Sequence, residues 1–241
     1  MSRISSSKVI PTQDRLILAL DVESVAKAKK IVKEIGSTIH FYKLGLQLFM
    51  AGGYFELIEW LRKRNKKVFV DLKFFDVPQT VKSAVAQLKD KGAQFVSVHG
   101  NDAILSAAVE KKNGLKVLAV TVLTSLDQKD LDDLGFKCNI RELVLSRAKR
   151  ALKLGCDGVI SSGIEAPKLR DKLGNNFLIV TPGIRPVKNM DDQKRTVDLK
   201  TAFRNGADYV VIGRPILADK NRKKKAEEFQ KEISSIFQPN K

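Results

Sequence analysis

Short apolar runs recur eight times along this chain, nearly all of them followed by an amphipathic stretch, and that rhythm restricts the fold more than any other feature. The runs fall at residues 16–20, 39–44, from 68 onward, 95–98, 116–122, 158–161, 177–181 and 209–212. Stretches that predict helices lie at 24–35, 47–64, 78–91, 102–112, 140–154, 165–173 and 223–236. Short strands that are apolar on both faces, separated by helices, imply a parallel sheet. Eight such units close a (β/α)8 TIM barrel, and 241 residues is about what one barrel domain uses. An open doubly wound sheet is the rival, but no Gly-x-Gly-x-x-Gly follows the first strand. We therefore expect a single α/β barrel domain over residues 13–241, preceded by a loose tail at 1–12.

In such a barrel the active site gathers at the C-terminal ends of the strands. There the sequence places Asp21, Lys43, Asp71, Lys73, His99, Thr124, Ser125, Arg185 and Arg214, a set too polar for packing alone. Its densest stretch is Val-Phe-Val-Asp-Leu-Lys-Phe-Phe-Asp-Val-Pro-Gln-Thr at 68–80. Asp71 and Lys73 are two apart, so on an extended backbone they share a side. Asp76 comes after the strand, and Pro78 opens a helix. Charges at the end of a buried strand are costly unless they pair or do chemistry. Lys43, Asp71, Lys73 and Asp76 suit a charged array around a substrate, and equally a structural ion-pair network across the barrel mouth. Mutual pairing would keep the acids ionised and the lysines protonated, and a fixed ammonium can protonate a carbanion.

The seventh and eighth units end in Arg185 and Gly213-Arg214. Loops at these places bind phosphate in many barrels, and arginine adds bidentate contacts; each arginine could instead cap a strand or pair with a surface acid. His99 is open to three readings: a base, a hydrogen-bond partner or a core histidine. His40 precedes its strand and belongs to the opposite face. No cluster suits zinc, and no nucleophile–histidine–acid set falls on strand ends.

Lysine and arginine number 44 against 27 acidic residues, a net charge of +17 that invites a nucleic-acid reading. The basic residues are spread, however, at 62–67, 147–150 and 222–225, on outer helix faces where solvation is the ordinary explanation. We expect no nucleic-acid partner, but attraction for anionic ligands. Cys138 and Cys156 make neither a disulfide framework nor a metal set, which suits a reducing cytoplasm. No stretch approaches the roughly 20 apolar residues of a membrane span, and the first ten residues lack the apolar segment of a signal peptide.

Several segments together resemble the orotidine 5′-phosphate decarboxylase family. They are Leu-Ala-Leu-Asp at 18–21, Tyr-Lys-Leu-Gly at 42–45, Asp-Leu-Lys-Phe-Phe-Asp-Val-Pro-Gln-Thr at 71–80 and Val-His at 98–99. Val-Thr-Val-Leu-Thr-Ser at 120–125, Thr-Pro-Gly-Ile-Arg-Pro at 181–186, Asp-Gln at 192–193 and Val-Ile-Gly-Arg-Pro-Ile at 211–216 follow in family order. The resemblance implies a dimeric barrel that converts orotidine 5′-phosphate to UMP and carbon dioxide with no metal or organic cofactor. It implies that Lys73 protonates C6 of the pyrimidine, that Asp71 sits beside the substrate carboxylate, and that Lys43 and Asp76 complete the array. Asp76 and Thr80 would reach the neighbouring subunit's site, and Asp21 and Lys43 would hold the ribose hydroxyls. Thr124 or Ser125 would contact the base. Arg185, Gln193, Gly213 and Arg214 would hold the phosphate, with Gln193 bridging to the base and Pro182 also touching substrate. The polar segment 187–195 would be the lid.

Sugar-phosphate decarboxylases and aldolases similar to 3-keto-gulonate-6-phosphate decarboxylase share Asp-x-Lys-x-x-Asp, but use magnesium and a relay histidine. The Pro-Gln-Thr, Leu-Thr-Ser and Pro-Gly-Ile-Arg-Pro segments favour the nucleotide enzyme. A basic nucleic-acid-binding protein on a barrel scaffold is the alternative of another class.

Overall fold

The apolar runs become eight parallel strands: β1 (Leu16–Ala19), β2 (Phe41–Gly45), β3 (Lys67–Phe74), β4 (Phe95–Val98), β5 (Lys116–Val120), β6 (Gly158–Ile160), β7 (Leu178–Thr181) and β8 (Tyr209–Ile212). They pair in sequence order, and β8 returns to β1 to close the expected (β/α)8 barrel. The computed structural model describes residues 8–88, 90–185 and 194–237.

Both faces of the strands are buried, which is why the runs are continuously apolar. Outward-facing Leu16, Leu18, Tyr42, Leu44, Val68 and Val70 meet the helical shell. Inward-facing Ile17, Phe41, Phe69, Phe95, Leu118 and Leu178 fill the lower barrel. The rings of Phe41 and Phe95 lie 4.9 Å apart, and Tyr209 stands edge-on to both, forming an aromatic plug. Two residues beyond the plug, alternation brings Ala19, Lys43, Asp71 and Ser97 inward on the first four strands. The polar residues therefore start one pleat above a dry floor.

Local chemistry explains most helix ends. The Ser24 side chain accepts the Lys27 N–H (3.2 Å) at the head of Val25–Ile35. Pro78 occupies the first turn of Pro78–Gln87, where its missing N–H removes no helical bond. The single helix expected at 47–64 is two, Leu46–Met50 and Tyr54–Arg62, because Gly52 and Gly53 adopt φ of +77° and +67° between them. Gln128–Asp133, Leu199–Arg204 and Arg214–Leu217 are further short helices that the periodicity did not predict. The first two open on capping aspartates, Asp127 and Asp198. No helix among the described residues is long and apolar enough to cross a membrane.

At the opposite end from the charged mouth, Asp208 is fully buried and shared. Its carboxylate lies 2.8 Å from Arg170 Nη2 and 3.0 Å from Lys8 Nζ, and accepts the Ile179 N–H at 2.9 Å. Ile10 packs on the interior cluster beside it. Removing one partner of a buried ion pair strands the other's charge. Asp208→Ala is expected to lower unfolding free energy by about 3–5 kcal/mol, read by denaturant titration.

Candidate active site

The charged mouth is built by the ends of β1, β2 and β3. Lys43 is the inward residue after Phe41, and Asp71 the inward residue after Phe69. Lys43 Nζ lies 3.1 Å from Asp21 Oδ1 and 3.2 Å from Asp71 Oδ2, while Lys73 Nζ lies 3.0 Å from Asp71 Oδ1. One carboxylate thus separates two ammonium groups. Gly45 leaves room for this, since an added Cβ there would stand 3.1 Å from Asp21 Oδ1 and 3.3 Å from Lys43 Nζ.

Asp71 and Lys73 come together through more than strand alternation. The β3–β4 ladder is regular to Val70↔Val96 and resumes only at Phe74↔Val98. Asp71, Leu72 and Lys73 therefore oppose the single residue Ser97, and Lys73 takes a left-handed φ of +49°. Bulges of this kind re-aim side chains beside functional sites.

Burial pushes the Asp71 carboxyl upward, but Lys43, Lys73 and the Ser97 hydroxyl outweigh it and hold the carboxyl below its ordinary value. Burial likewise pushes Lys43 down, and Asp71 with Asp21 reverses this, leaving the ammonium above its ordinary value. The Lys43–Asp71 pair is thus charged throughout the neutral range.

A cavity of about 330 Å³ opens over this array. Asp21, Lys43, Asp71 and Lys73 line one side. Thr124, Ser125, Pro182, Arg185, Gly213 and Arg214 also line it, joined by an apolar wall of Val120, Val122, Leu123, Ile160 and Val211. Ten expected residues from six separate sequence segments therefore share one cavity, which is of a size that takes a small ligand. Asp76 and Thr80 do not line it; both are exposed, and Asp76 Oδ1 accepts the Val77 N–H at 2.6 Å. Gln193 lies outside the described residues, as do 187–193 of the expected lid.

His99 lies instead in a neighbouring cavity of about 390 Å³ with Phe75, Asn101 and Arg147. Burial, then Arg147 and Lys73, hold its imidazole below the ordinary histidine value, so it is neutral at pH 7. His40 lies at the barrel's other end, preceding β2, where its carbonyl accepts the Lys67 N–H.

Two residues hold roles that the sequence did not suggest, Ser97 and, at the end of the expected lid segment, Arg195. Ser97 is an ordinary small residue within an apolar strand, and only its parity with Phe95 hinted that it faces inward. Arg195 carried no motif, yet its guanidinium pairs with Glu165 at 2.7 Å and donates to the carbonyls of Val122, Leu123 and Leu126. The backbone N–H groups of Lys194 and Arg195 also donate to Thr124 O, so this residue staples the loop that carries Thr124 and Ser125.

A lowered Asp71 contributes stability above the ordinary carboxylate pKa, lost as pH falls through its folded value. A raised Lys43 contributes stability below the ordinary lysine pKa, lost as pH rises through its folded value. The difference in unfolding free energy between wild type and Asp71→Asn should therefore be level from about pH 5 to 9 and shrink below about pH 4. Urea titrations across that range read it.

Comparison with known proteins agrees with this geometry. A family model described as Orotidine 5'-phosphate decarboxylase / HUMPS family matches residues 14–229. The orotidine 5'-phosphate decarboxylase of Methylococcus capsulatus is 55% identical over 239 residues, covering 98% of this chain and 99% of its own length. That of Nitrobacter winogradskyi is 42% identical over 230 residues, covering 94% and 95%. Among solved structures, orotidine 5'-phosphate decarboxylase from Lactobacillus acidophilus superposes with a TM-score of 0.81 at 34% identity, over 91% of this chain and 99% of its own.

Proposed function

The chain belongs to the orotidine 5′-phosphate decarboxylase / HUMPS family and decarboxylates orotidine 5′-phosphate to UMP, and from that premise we propose which of its residues carry the reaction. The observation that carries the proposal is Lys73 Nζ held 3.0 Å from a buried, ionised Asp71 at the wall of the cavity.

Loss of carbon dioxide breaks the C6–carboxylate bond and leaves its electron pair on C6, where the pyrimidine cannot delocalise it. The barrier then falls mainly through charges fixed in advance around that carbon. The Lys73 ammonium stabilises the developing carbanion and delivers its proton to C6; the amine regains a proton from solvent. Asp71 pairs with Lys73 and aims it, and Lys43 keeps Asp71 ionised. Asp21 and Lys43 hold the ribose hydroxyls, and Thr124 or Ser125 contacts the base. Arg185, Gly213 and Arg214 receive the phosphate, with Pro182 on the same rim and Gln193 bridging phosphate to base. Binding energy from the distant phosphate then lowers the barrier at C6. No metal or organic cofactor enters this scheme, and the +17 charge draws in the anionic substrate. The two thiols fit a cytoplasmic enzyme.

The working unit in this proposal is a homodimer. Asp76 and Thr80 are exposed and outside their own cavity, beside apolar side chains that water covers poorly. Phe75 is 68% exposed, Val77 62% and Met50 79%, and Phe49 and Phe55 are exposed as well. A second copy packed there would bury these side chains and carry Asp76 and Thr80 into the neighbouring array.

Decay of orotidine 5′-phosphate absorbance tests the chemistry. Conversion should persist in excess EDTA and fall by at least about 10³-fold in Lys73→Ala. A magnesium requirement, or unchanged turnover in the variant, would overturn the assignment. Shared sites are tested by mixing inactive Lys73→Ala with inactive Asp76→Asn. Subunit exchange should restore about a quarter of wild-type activity, because half the dimers then hold one intact site. No recovery, with exchange verified, would place Asp76 in its own subunit's chemistry.

A further inference from the structure

We propose that Ser97 is a positioning residue for the decarboxylation, holding both the carboxylate and the backbone that aim Lys73. The inference rests on the role given above to Lys73 and Asp71. Ser97 is fully buried on β4, the single residue opposite the three-residue bulge Asp71–Lys73. Its Oγ donates to Asp71 Oδ1 at 2.8 Å and accepts the Lys73 backbone N–H at 2.9 Å.

Each bond answers a specific need. A regular ladder would offer the amide of Lys73 a strand carbonyl, but the bulge removes that partner, and a buried N–H left alone is costly. The hydroxyl replaces it. Lys73 also holds a φ of +49°, a conformation that side-chain-bearing residues keep only where their surroundings impose it. The same hydroxyl fixes one rotamer of Asp71, whose Oδ1 then faces Lys73 while Oδ2 faces Lys43. Ser97 itself is absent from the residues that line the cavity, so it acts through its two neighbours and not on the substrate.

Alanine at 97 keeps the strand and the cavity but removes both bonds. A displacement of the proton donor by about 1 Å can cost about 10²-fold in rate. Steady-state kinetics with orotidine 5′-phosphate should therefore give Ser97→Ala a kcat about 10²-fold lower with KM within about threefold, because ribose and phosphate contacts are untouched. Ser97→Thr, which keeps the hydroxyl and suits a strand, should recover kcat to within about threefold of wild type. Ser97→Cys, close in size but a poor donor, serves in place of alanine if that variant does not fold.

A kcat loss below about tenfold, a matching rise in KM, or a threonine variant as slow as alanine would each overturn the role of Ser97. Lys73→Ala, assayed alongside, separates the two levels of the argument. Turnover retained there removes the premise; turnover lost there but kept in Ser97→Ala removes this inference alone.

Discussion

Two ammonium groups a few ångströms apart repel each other, and two of them stand at the mouth of this barrel because a single carboxylate lies between them. Asp71 is buried, and burial alone pushes it toward its neutral form. Lys43 and Lys73 prevent that, and the ionised carboxylate in turn steadies both of them. The three charges are therefore interdependent in a way that surface pairs are not. Asp21 extends the set outward to more exposed ground, and Ser97 extends it inward to the backbone.

The barrel makes such an arrangement tolerable by separating two tasks along the same strands. Phe41 and Phe69 close the interior against water, and two residues later Lys43 and Asp71 work above them. The packing energy thus comes from a layer whose side chains carry no charge, leaving the next layer free to hold it. The irregular features cluster there as well: the β3 bulge, the left-handed Lys73 and the crowded Gly45 all surround Asp71. Backbone distortion concentrated at one point of an otherwise regular barrel marks where geometry matters to chemistry.

The fold was largely legible, because each strand is an uninterrupted apolar run and the closing count was eight. The cavity-lining residues were legible because charges at buried strand ends have few innocent explanations, as Asp21, Lys43, Asp71, Lys73, Arg185 and Arg214 illustrate. The split after Met50 was written in Gly52-Gly53, but the flanking apolar periodicity outweighed it. The caps at Asp127 and Asp198 were equally present and hidden by polar surroundings that resemble loop. Ser97 and Arg195 were different in kind. A serine in a strand and an arginine in a polar segment acquire meaning only from what the fold sets opposite them, respectively a bulge and three carbonyls. The handedness of Lys73 likewise arises from strand pairing, which no local pattern records.

The closure of β8 onto β1 governs how the molecule can come into being. Leu16 pairs with Val210, and Lys8 meets Asp208, across nearly the whole length of the chain. A ribosome releases residue 16 long before residue 210, so β1 spends most of synthesis with one edge unanswered. Its hydrogen-bonding groups and its side chains must wait for the last strand to emerge. Lys8 likewise can clasp Asp208 only once the segment that leads into β8 has been made.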